Sequence, residues 1–182
     1  AGSTPTTPIL PDEETTAPEE WDEPETDEED TIIIVTKDGI CLNAKKDDIP
    51  VQGRIASGVR GIQLREGDSV VLMKQISDVG EIIVATDEGK FKKVIVSLIE
   101  STSRYKKGSL IVSMKAGASV ICASYVTEPY MISIVDQTNT VTEISSEKIP
   151  IAMQSAMARK ISAYSGDGVK SVVATPYKKV ED

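Results

Sequence analysis

Short runs of isoleucine and valine, separated by polar turns, recur along the chain from residue 31 onward. The first run lies in residues 31–46, and similar runs lie in 81–96 and 130–145. Each segment has a β-prone stretch, a short polar turn that ends in glycine or asparagine, and a second β-prone stretch. This order predicts three β-hairpins, because branched side chains favour strands and such turns favour hairpins.

The hairpins are related by a shift of 50 residues. Thr36 then aligns with Thr86, and the turn glycines Gly39 and Gly89 align with Asn139. Asparagine is the residue that best replaces glycine where φ is positive. The alignment therefore predicts a left-handed backbone conformation at the same place in all three turns.

A second phrase repeats with the same period. The glycine-rich loop of residues 54–71 aligns with residues 104–121, and each copy leads into a further apolar strand. In the third copy, residues 154–168 depart from the phrase, which leaves both a short helix and irregular structure open. Periods of this length indicate stacked or radial folds. We predict an all-β domain over 31–182, with repeats of about 31–79, 80–128 and 129–182 and roughly four short strands in each.

Charge is distributed unevenly along the chain. Residues 1–30 contain 12 acidic and no basic residues, whereas residues 31–182 contain 20 basic and 17 acidic residues. The Thr/Pro-rich acidic segment has too few bulky apolar groups to offset its ordering entropy, so we predict that it is disordered. Two roles remain open for it, a solvated linker and an anionic tether that competes with a polyanion for the basic body.

The composition argues against an enzyme. The chain has no histidine, which removes the usual general base, the commonest nitrogen ligand for metals and every Ser-His or Cys-His pair. Cys41 and Cys122 each lie in an apolar run, which favours buried free thiols over a disulfide framework or a metal site. No apolar run approaches the length of a membrane span. We therefore predict no catalytic residue, metal, cofactor or membrane insertion.

Residues 58–71, together with the turns Thr36–Gly39 and Thr86–Gly89, resemble the blade motif of a C-terminal domain found in the A subunits of DNA gyrase and of its paralogue, topoisomerase IV. The resemblance implies a β-pinwheel, a propeller-like disc of four-stranded blades that binds double-stranded DNA on a basic outer rim and bends it. The family usually has five or six blades, and this chain has room for about three. The implied partners are DNA and the cleavage core of the same subunit, in the bacterial cytoplasm at the nucleoid.

One part of the resemblance is degenerate. Gyrase proper has a box of the form Q-R-R-G-G-K-G in its first blade, and the comparable stretch here is residues 52–58, where only Gln52, Arg54 and Gly58 match. The resemblance therefore implies a parent enzyme closer to topoisomerase IV than to gyrase. The family's DNA-cleaving tyrosine lies in an upstream domain without a counterpart here, so the chain is expected to be a non-catalytic accessory domain.

Bending DNA around a rim requires phosphate neutralisation by lysine and arginine more than base reading. The candidates lie in the strand after each hairpin turn and in the glycine-rich loops. They are Lys45, Lys46, Arg54, Arg60, Arg65, Lys90, Lys92, Lys93, Arg104, Lys106 and Lys107. Glu143 replaces the lysine in the third repeat, so weaker DNA contact is expected there. A protein-interaction or surface-display β-repeat, with these cations as a solvated face, is the alternative function.

Overall fold

The computed structural model of the chain describes residues 30–177, and within that range the fold is all-β, as predicted. The acidic segment predicted to be disordered, residues 1–30, lies outside the described residues except for Asp30. The strands are β1 Thr31–Thr36, β2 Ile40–Lys45, β3 Val70–Ile76, β4 Glu81–Thr86, β5 Phe91–Ile95, β6 Ser101–Thr102, β7 Ser109–Leu110, β8 Val120–Val126, β9 Tyr130–Val135, β10 Val141–Ser145 and β11 Ser171–Pro176.

Each repeat forms its own antiparallel sheet of three strands. The strand orders are β3-β1-β2, β5-β4-β8 and β10-β9-β11, so the first strand of each hairpin lies in the centre. Short 3-10 helices follow the second strand of each hairpin, at Lys46–Asp48, Val96–Leu98 and Ser146–Lys148. The three predicted hairpins are confirmed. Residues 154–168 form no helix and contribute only isolated bridges, so irregular structure is the alternative that holds.

The hairpin turns have the backbone conformation that the alignment predicts. The φ angles are +78° at Gly39, +73° at Gly89 and +63° at Asn139. The hydroxyl oxygen of Thr36 accepts a bond from the N–H of Ile40 at 3.3 Å, and Thr86 acts in the same way. These side chains satisfy backbone groups that the tight turn leaves unpaired, which explains why the Thr-x-x-Gly pattern recurs.

The outer strands of the first two sheets, β2 and β5, are each completed by chain from the following repeat. The outer edge of β2 pairs with β6 in parallel and with β7 in the antiparallel direction, although β6 and β7 belong to the second repeat. The outer edge of β5 is bridged in the same way by residues 151–159 of the third repeat. The fourth position of these two sheets is thus filled by exchange between repeats, which covers the strand edges that would otherwise be exposed.

The core consists of apolar layers between neighbouring sheets. One cluster joins β1, exemplified by Ile33, to β4, exemplified by Ile82, and a second joins β4, through Ile83, to β9, through Ile132. All six residues of β1 are buried. In the third sheet, β9 alternates between buried and partly exposed residues, and most of β11 alternates between exposed and partly exposed residues. Contacts between neighbouring sheets include β3 with β8 and β8 with β11, so these strands line the inner side of an arc and β2, β5 and β10 lie on its outer side.

Candidate nucleic-acid interface

The structure separates the predicted DNA-contacting residues by exposure. Lys92 and Lys93 are buried, and Lys90 and Arg104 are partly exposed. The remaining candidates are exposed, namely Lys45, Lys46, Arg54, Arg60, Arg65, Lys106 and Lys107. The set predicted from sequence therefore contains two residues whose side chains have no access to a bound duplex.

Four cations from two repeats meet where the second repeat crosses the outer side of the first sheet. We call Arg60, Arg104, Lys106 and Lys107 the seam cluster. Arg104 donates from Nε to the carbonyl oxygen of Asp48 at 2.8 Å and from Nη1 to that of Arg60 at 3.2 Å. Backbone bonds hold the two loops together, with the N–H of Gln63 donating to the carbonyl oxygen of Lys106 at 2.9 Å. The cluster is thus built by the exchange of chain between repeats.

Tyr105 orders the centre of the seam cluster. Arg60 donates from Nη1 to the Tyr105 hydroxyl at 2.8 Å, and its guanidinium carbon lies 5.5 Å from the ring centroid. Tyr105 has a φ of +57°, an uncommon conformation for an aromatic residue, and such outliers concentrate at functional sites. Tyr105 was not among the residues predicted from the sequence. The sequence feature that could have indicated Tyr105 is its position between two basic residues, Arg104 and Lys106. An aromatic ring in such a position can stack with an arginine.

A shallow pocket of about 190 Å³ adjoins the seam cluster. Lys106, Lys107, Gly108 and Ser109 line one wall, and residues 41–43 of β2 line the other. Glu100 also lines it, so the pocket is not uniformly positive. Two adjacent ammonium groups beside exposed backbone can neutralise a phosphate without reading a base, which is the chemistry expected of a non-specific DNA contact.

Two of the lysines predicted to contact DNA form ion pairs within the chain. Lys46 lies 2.8 Å from Asp30, and Lys90 lies 2.6 Å from Glu88. The hydrogen bond from Lys46 lowers the pKa of the Asp30 carboxyl, and that from Lys90 lowers the pKa of Glu88. Ion pairs at the surface are weak and screened by salt, so a phosphate can replace either carboxylate.

The expectation that Lys92 and Lys93 contact DNA is corrected by their burial. Lys92 is 1% exposed, and its ammonium donates to the carbonyl oxygens of Met153, Gln154 and Ala156 at 2.8–2.9 Å. Lys93 is paired with Glu81 at 2.8 Å. Successive side chains point to opposite faces of a strand. Both lysines are nevertheless buried, because residues 153–156 of the third repeat bond the ammonium of Lys92 and Glu81 of β4 pairs with Lys93.

Lys92 makes the stability of the fold depend on pH. Burial lowers the pKa of Lys92 to about 8, whereas an unfolded chain titrates lysine near pH 10.4. Above pH 8 the unfolded chain binds more protons than the folded one, so the free energy of unfolding rises with pH. The rise is at most about 1.4 kcal/mol per pH unit. Burial also raises the pKa of Cys41 to about 11, which opposes the rise above about pH 9.

We expect urea unfolding to give a higher free energy of unfolding at pH 9 than at pH 7.5. The matched control is Lys92→Met, which keeps a similar volume and removes the titrating group. Its stability should lack the increase over the same interval. An equal increase in both proteins would show that another group causes the effect.

Arg65 lies apart from the seam cluster, near a lysine that was not predicted from the sequence. Arg65 and Asp38 line a pocket of about 290 Å³ together with Lys115. Lys115 is exposed and stands 50 residues after Arg65, so the repeat itself offered the signal. Arg54 lies farther away in an exposed stretch, residues 50–59. The structure therefore divides the candidates into the seam cluster and flanking positions.

The described residues contain no group of three or more His, Cys, Asp or Glu that could hold a metal ion. Cys41 is buried, Cys122 is partly buried, and both are free, as predicted. In the same part of the chain, no helix is both long and apolar enough to cross a membrane.

The repeat layout agrees with a comparison with protein families. A statistical model of the family described as "DNA gyrase C-terminal domain, beta-propeller" matches residues 30–77 and 80–122, which together make up half of the chain. This chain belongs to that family. Membership in the gyrase C-terminal domain family accounts for the all-β fold and for the repeated blade motif, and it confirms the resemblance found in the sequence.

Relatives of both branches of the gyrase C-terminal domain family are similar to the chain. The DNA gyrase A subunit of Fibrobacter succinogenes is 31% identical over 156 residues, which cover 84% of this chain and 17% of that protein. The DNA topoisomerase 4 A subunit of Streptococcus pyogenes serotype M3 is 32% identical over 80 residues, which cover 44% of this chain and 10% of that protein. The chain thus spans less than a fifth of the length of these relatives.

The fold of the gyrase C-terminal domain family is also seen in a solved structure. The crystal structure of the C-terminal domain of DNA topoisomerase IV superposes with a TM-score of 0.70 at 24% identity, over 81% of this chain and 47% of that one. At this identity the likeness shows the fold alone. The chain is therefore a β-pinwheel domain of the kind that belongs to gyrase A and topoisomerase IV A subunits.

Proposed function

We propose that the chain binds duplex DNA on the outer side of its arc and bends it, as the non-catalytic C-terminal domain of a bacterial type II topoisomerase A subunit. The seam cluster carries the proposal. Its four cations come from two repeats. Arg60 and Arg104 are held in place by hydrogen bonds, and Arg60 also lies over the ring of Tyr105. Neutralising several phosphates at once supplies the free energy that sequence-tolerant DNA binding requires.

Bending follows from the placement of the cations on a curved surface. Bending a short duplex smoothly costs about 1–6 kcal/mol, which contacts along the curve must offset. Lys45, Arg54 and Arg65 are exposed outside the seam cluster and are the further cations that we propose to contact the duplex. Glu143 replaces a lysine in the third repeat, so the duplex is held more weakly there. The partners in this proposal are double-stranded DNA and the cleavage core of the same subunit.

We also propose that the parent enzyme resembles topoisomerase IV more than gyrase. Residues 52–58 retain only Gln52, Arg54 and Gly58 of the gyrase box. In the structure this stretch is exposed, and it contains a turn in which the N–H of Ala56 donates to the carbonyl oxygen of Gly53. A loop with a single cation offers little to wrap DNA with a fixed handedness. The parent enzyme would act at the bacterial nucleoid without introducing supercoils.

A gel-shift titration with a duplex of about 150 base pairs, near one DNA persistence length, tests the binding. We expect affinity to fall steeply between about 50 and 200 mM salt and to differ little between unrelated sequences. Ring closure of the same duplex by ligase measures bending, and the chain should increase its rate. Absence of binding near 50 mM salt would contradict the proposal and favour a protein-interaction module.

Removing residues 1–29 is expected to raise affinity for the duplex by about 3- to 10-fold at 50 mM salt, because the acidic segment competes with DNA for the basic surface. The increase should shrink as salt rises, since screening weakens both interactions. A variant that keeps the length but replaces the acidic residues of 1–29 by Asn and Gln is the control. It should bind as tightly as the truncated chain. Unchanged affinity in both variants would favour the linker role.

A further inference from the structure

The first exchange between repeats has a defined register. On the outer edge of β2, Asn43 pairs with Ser101 in parallel, and Cys41 pairs with Ser109 in the antiparallel direction. Both partners belong to the loop segment that follows the second hairpin. One strand edge is thus closed by two short pairings that run in opposite directions. They lie about eight residues apart in residues 101–110, which we call the crossing segment.

The second exchange repeats this register after 50 residues. Lys93 pairs with Ile151 in parallel, and Phe91 pairs with Arg159 in the antiparallel direction. Backbone bonds close the edge at both pairings. The N–H groups of Phe91 and Arg159 bond each other's carbonyl oxygens at 2.8 and 3.1 Å, and the N–H of Ala152 bonds the carbonyl oxygen of Lys93 at 2.9 Å. The pairing is therefore a property of the repeat and not of one particular sequence.

The outer edge of β10 has the same geometry and no occupant among residues 30–177. The pairing positions on β2 and β5 are 50 residues apart, so the equivalent positions on β10 are Val141 and Glu143. β10 pairs only with β9 within its sheet, and Val141 is 60% exposed. An exposed strand edge with an apolar residue on it is a template for another strand.

The opposite end of the arc has the complementary feature. Residues 50–59, which we call the free arm, correspond to 100–109 and 150–159, but they cross no strand within residues 30–177. Val51 and Ile55 are as exposed as in an extended chain, at 102% and 103%. The free arm contains one charged residue, Arg54, and the exposed edge of β10 presents Glu143. Strand register, apolar surface and charge are thus complementary between the two ends.

We propose that the free arm of one copy of this chain closes the β10 edge of a second copy. The repeat fixes the register, with Val51 opposite Glu143 in parallel and Val59 opposite Val141 in the antiparallel direction. The described part of the 182-residue chain offers one such arm and one such edge, so two copies of it can close a ring with two identical contacts. The inference does not depend on DNA binding.

Sedimentation of the full 182-residue chain tests the proposal without DNA. We expect a species of twice the 19.6 kDa chain mass at about 0.3 mM, which dissociates on dilution. In the second exchange, the N–H groups of Ala152 and Arg159 bond carbonyl oxygens of β5. The equivalent N–H groups of the free arm, those of Gln52 and Val59, should therefore bond β10 of the second copy. The double variant Gln52→Pro/Val59→Pro removes both donors, and its dimer should be at least about tenfold weaker.

Ser57→Pro is the matched control, because its counterpart Met157 pairs with Ser113 and not with β5. Its dimer should be unchanged. The free arm makes no strand pairing within its own copy, so none of these variants should alter urea unfolding of the monomer. A chain that stays monomeric at about 0.3 mM, or a dimer that the double proline variant does not weaken, would overturn the proposal.

Cross-linking determines the register directly. Val59→Cys and Val141→Cys are prepared in separate chains and mixed under oxidising conditions. A disulfide between positions 59 and 141, identified by mass spectrometry, is expected, because paired Cα atoms about 5.5 Å apart are within reach of a disulfide. Such a bond can only join two copies. Failure of the mixed chains to cross-link, while one chain with both substitutions links internally, would show that the free arm closes on its own copy instead.

Discussion

Replacing Arg60, Lys106 and Lys107 together by glutamine is expected to lower affinity for duplex DNA by about 100-fold near 100 mM salt, because each residue neutralises one phosphate. The slope of log affinity against log salt should become smaller by about 3. All three side chains are exposed, so the fold should be retained. Gel shifts over a salt series measure both effects.

An equal loss of charge elsewhere provides the control. Lys74, Lys148 and Lys170 are exposed and lie outside the seam cluster, on the inner side or in the third repeat. Replacing these three by glutamine should change affinity by less than about 5-fold. If both triple variants lose the same affinity, the binding reflects net charge and not the seam cluster.

Gly108→Ala is expected to destabilise the domain by about 3 kcal/mol. Gly108 has a φ of +72°, which costs about 1–2 kcal/mol for any residue with a Cβ atom. The added Cβ would also collide with the carbonyl oxygen of Cys41 and lie 2.8 Å from Cγ2 of Ile40. This position adjoins the pairing of β7 with β2, so relief of the clash requires the crossing segment to move off the strand.

Gly117→Ala separates the clash from the backbone strain. Gly117 has a φ of +85°, and a Cβ built there meets nothing within 4 Å. We expect a loss of about 1 kcal/mol by urea unfolding. Displacement of the crossing segment should also lower the DNA affinity of Gly108→Ala but not that of Gly117→Ala. Equal losses of stability in the two variants would show that the segment adjusts without leaving β2.

The two largest effects have one structural origin. The seam cluster exists because residues 101–110 cross the outer edge of the first sheet, and Gly108 lies against β2 in that crossing, where an added Cβ would meet Ile40 and Cys41. The crossing segment carries Arg104, Lys106 and Lys107 to the surface beside Arg60. Stability and DNA affinity should therefore decrease together in variants that loosen the crossing, and only affinity should decrease in variants that remove exposed charges.

Local chemistry made the hairpins predictable. A turn that needs a positive φ angle accepts glycine or asparagine, so Gly39, Gly89 and Asn139 show the repeat even where the surrounding letters differ. Runs of Ile and Val then mark the strands on either side. The exposed loop cations could also be identified, because charged residues beside glycines in a polar loop seldom become buried.

Burial of Lys92 and Lys93 could not be predicted in this way. They align with Leu42 and Asn43 of β2, which are also buried, whereas Lys45 lies at the exposed end of that strand. Their burial depends on residues 151–159, which return from the following repeat and cover the outer edge of β5. The residues of β5 do not indicate which distant segment covers the strand. Sequence alone therefore cannot distinguish a buried lysine from an exposed one here.

The sequence by itself determined the all-β class, the period of 50 residues, the turn conformations and the separation of acidic segment from basic body. These properties depend on residues close together in the chain, where φ preferences and side-chain alternation act directly. Only the tertiary structure decided which cations meet at the seam cluster, which lysines are buried and which strand edge stays open. Those properties depend on pairing between repeats, and non-local pairing is set by the packing of the whole domain.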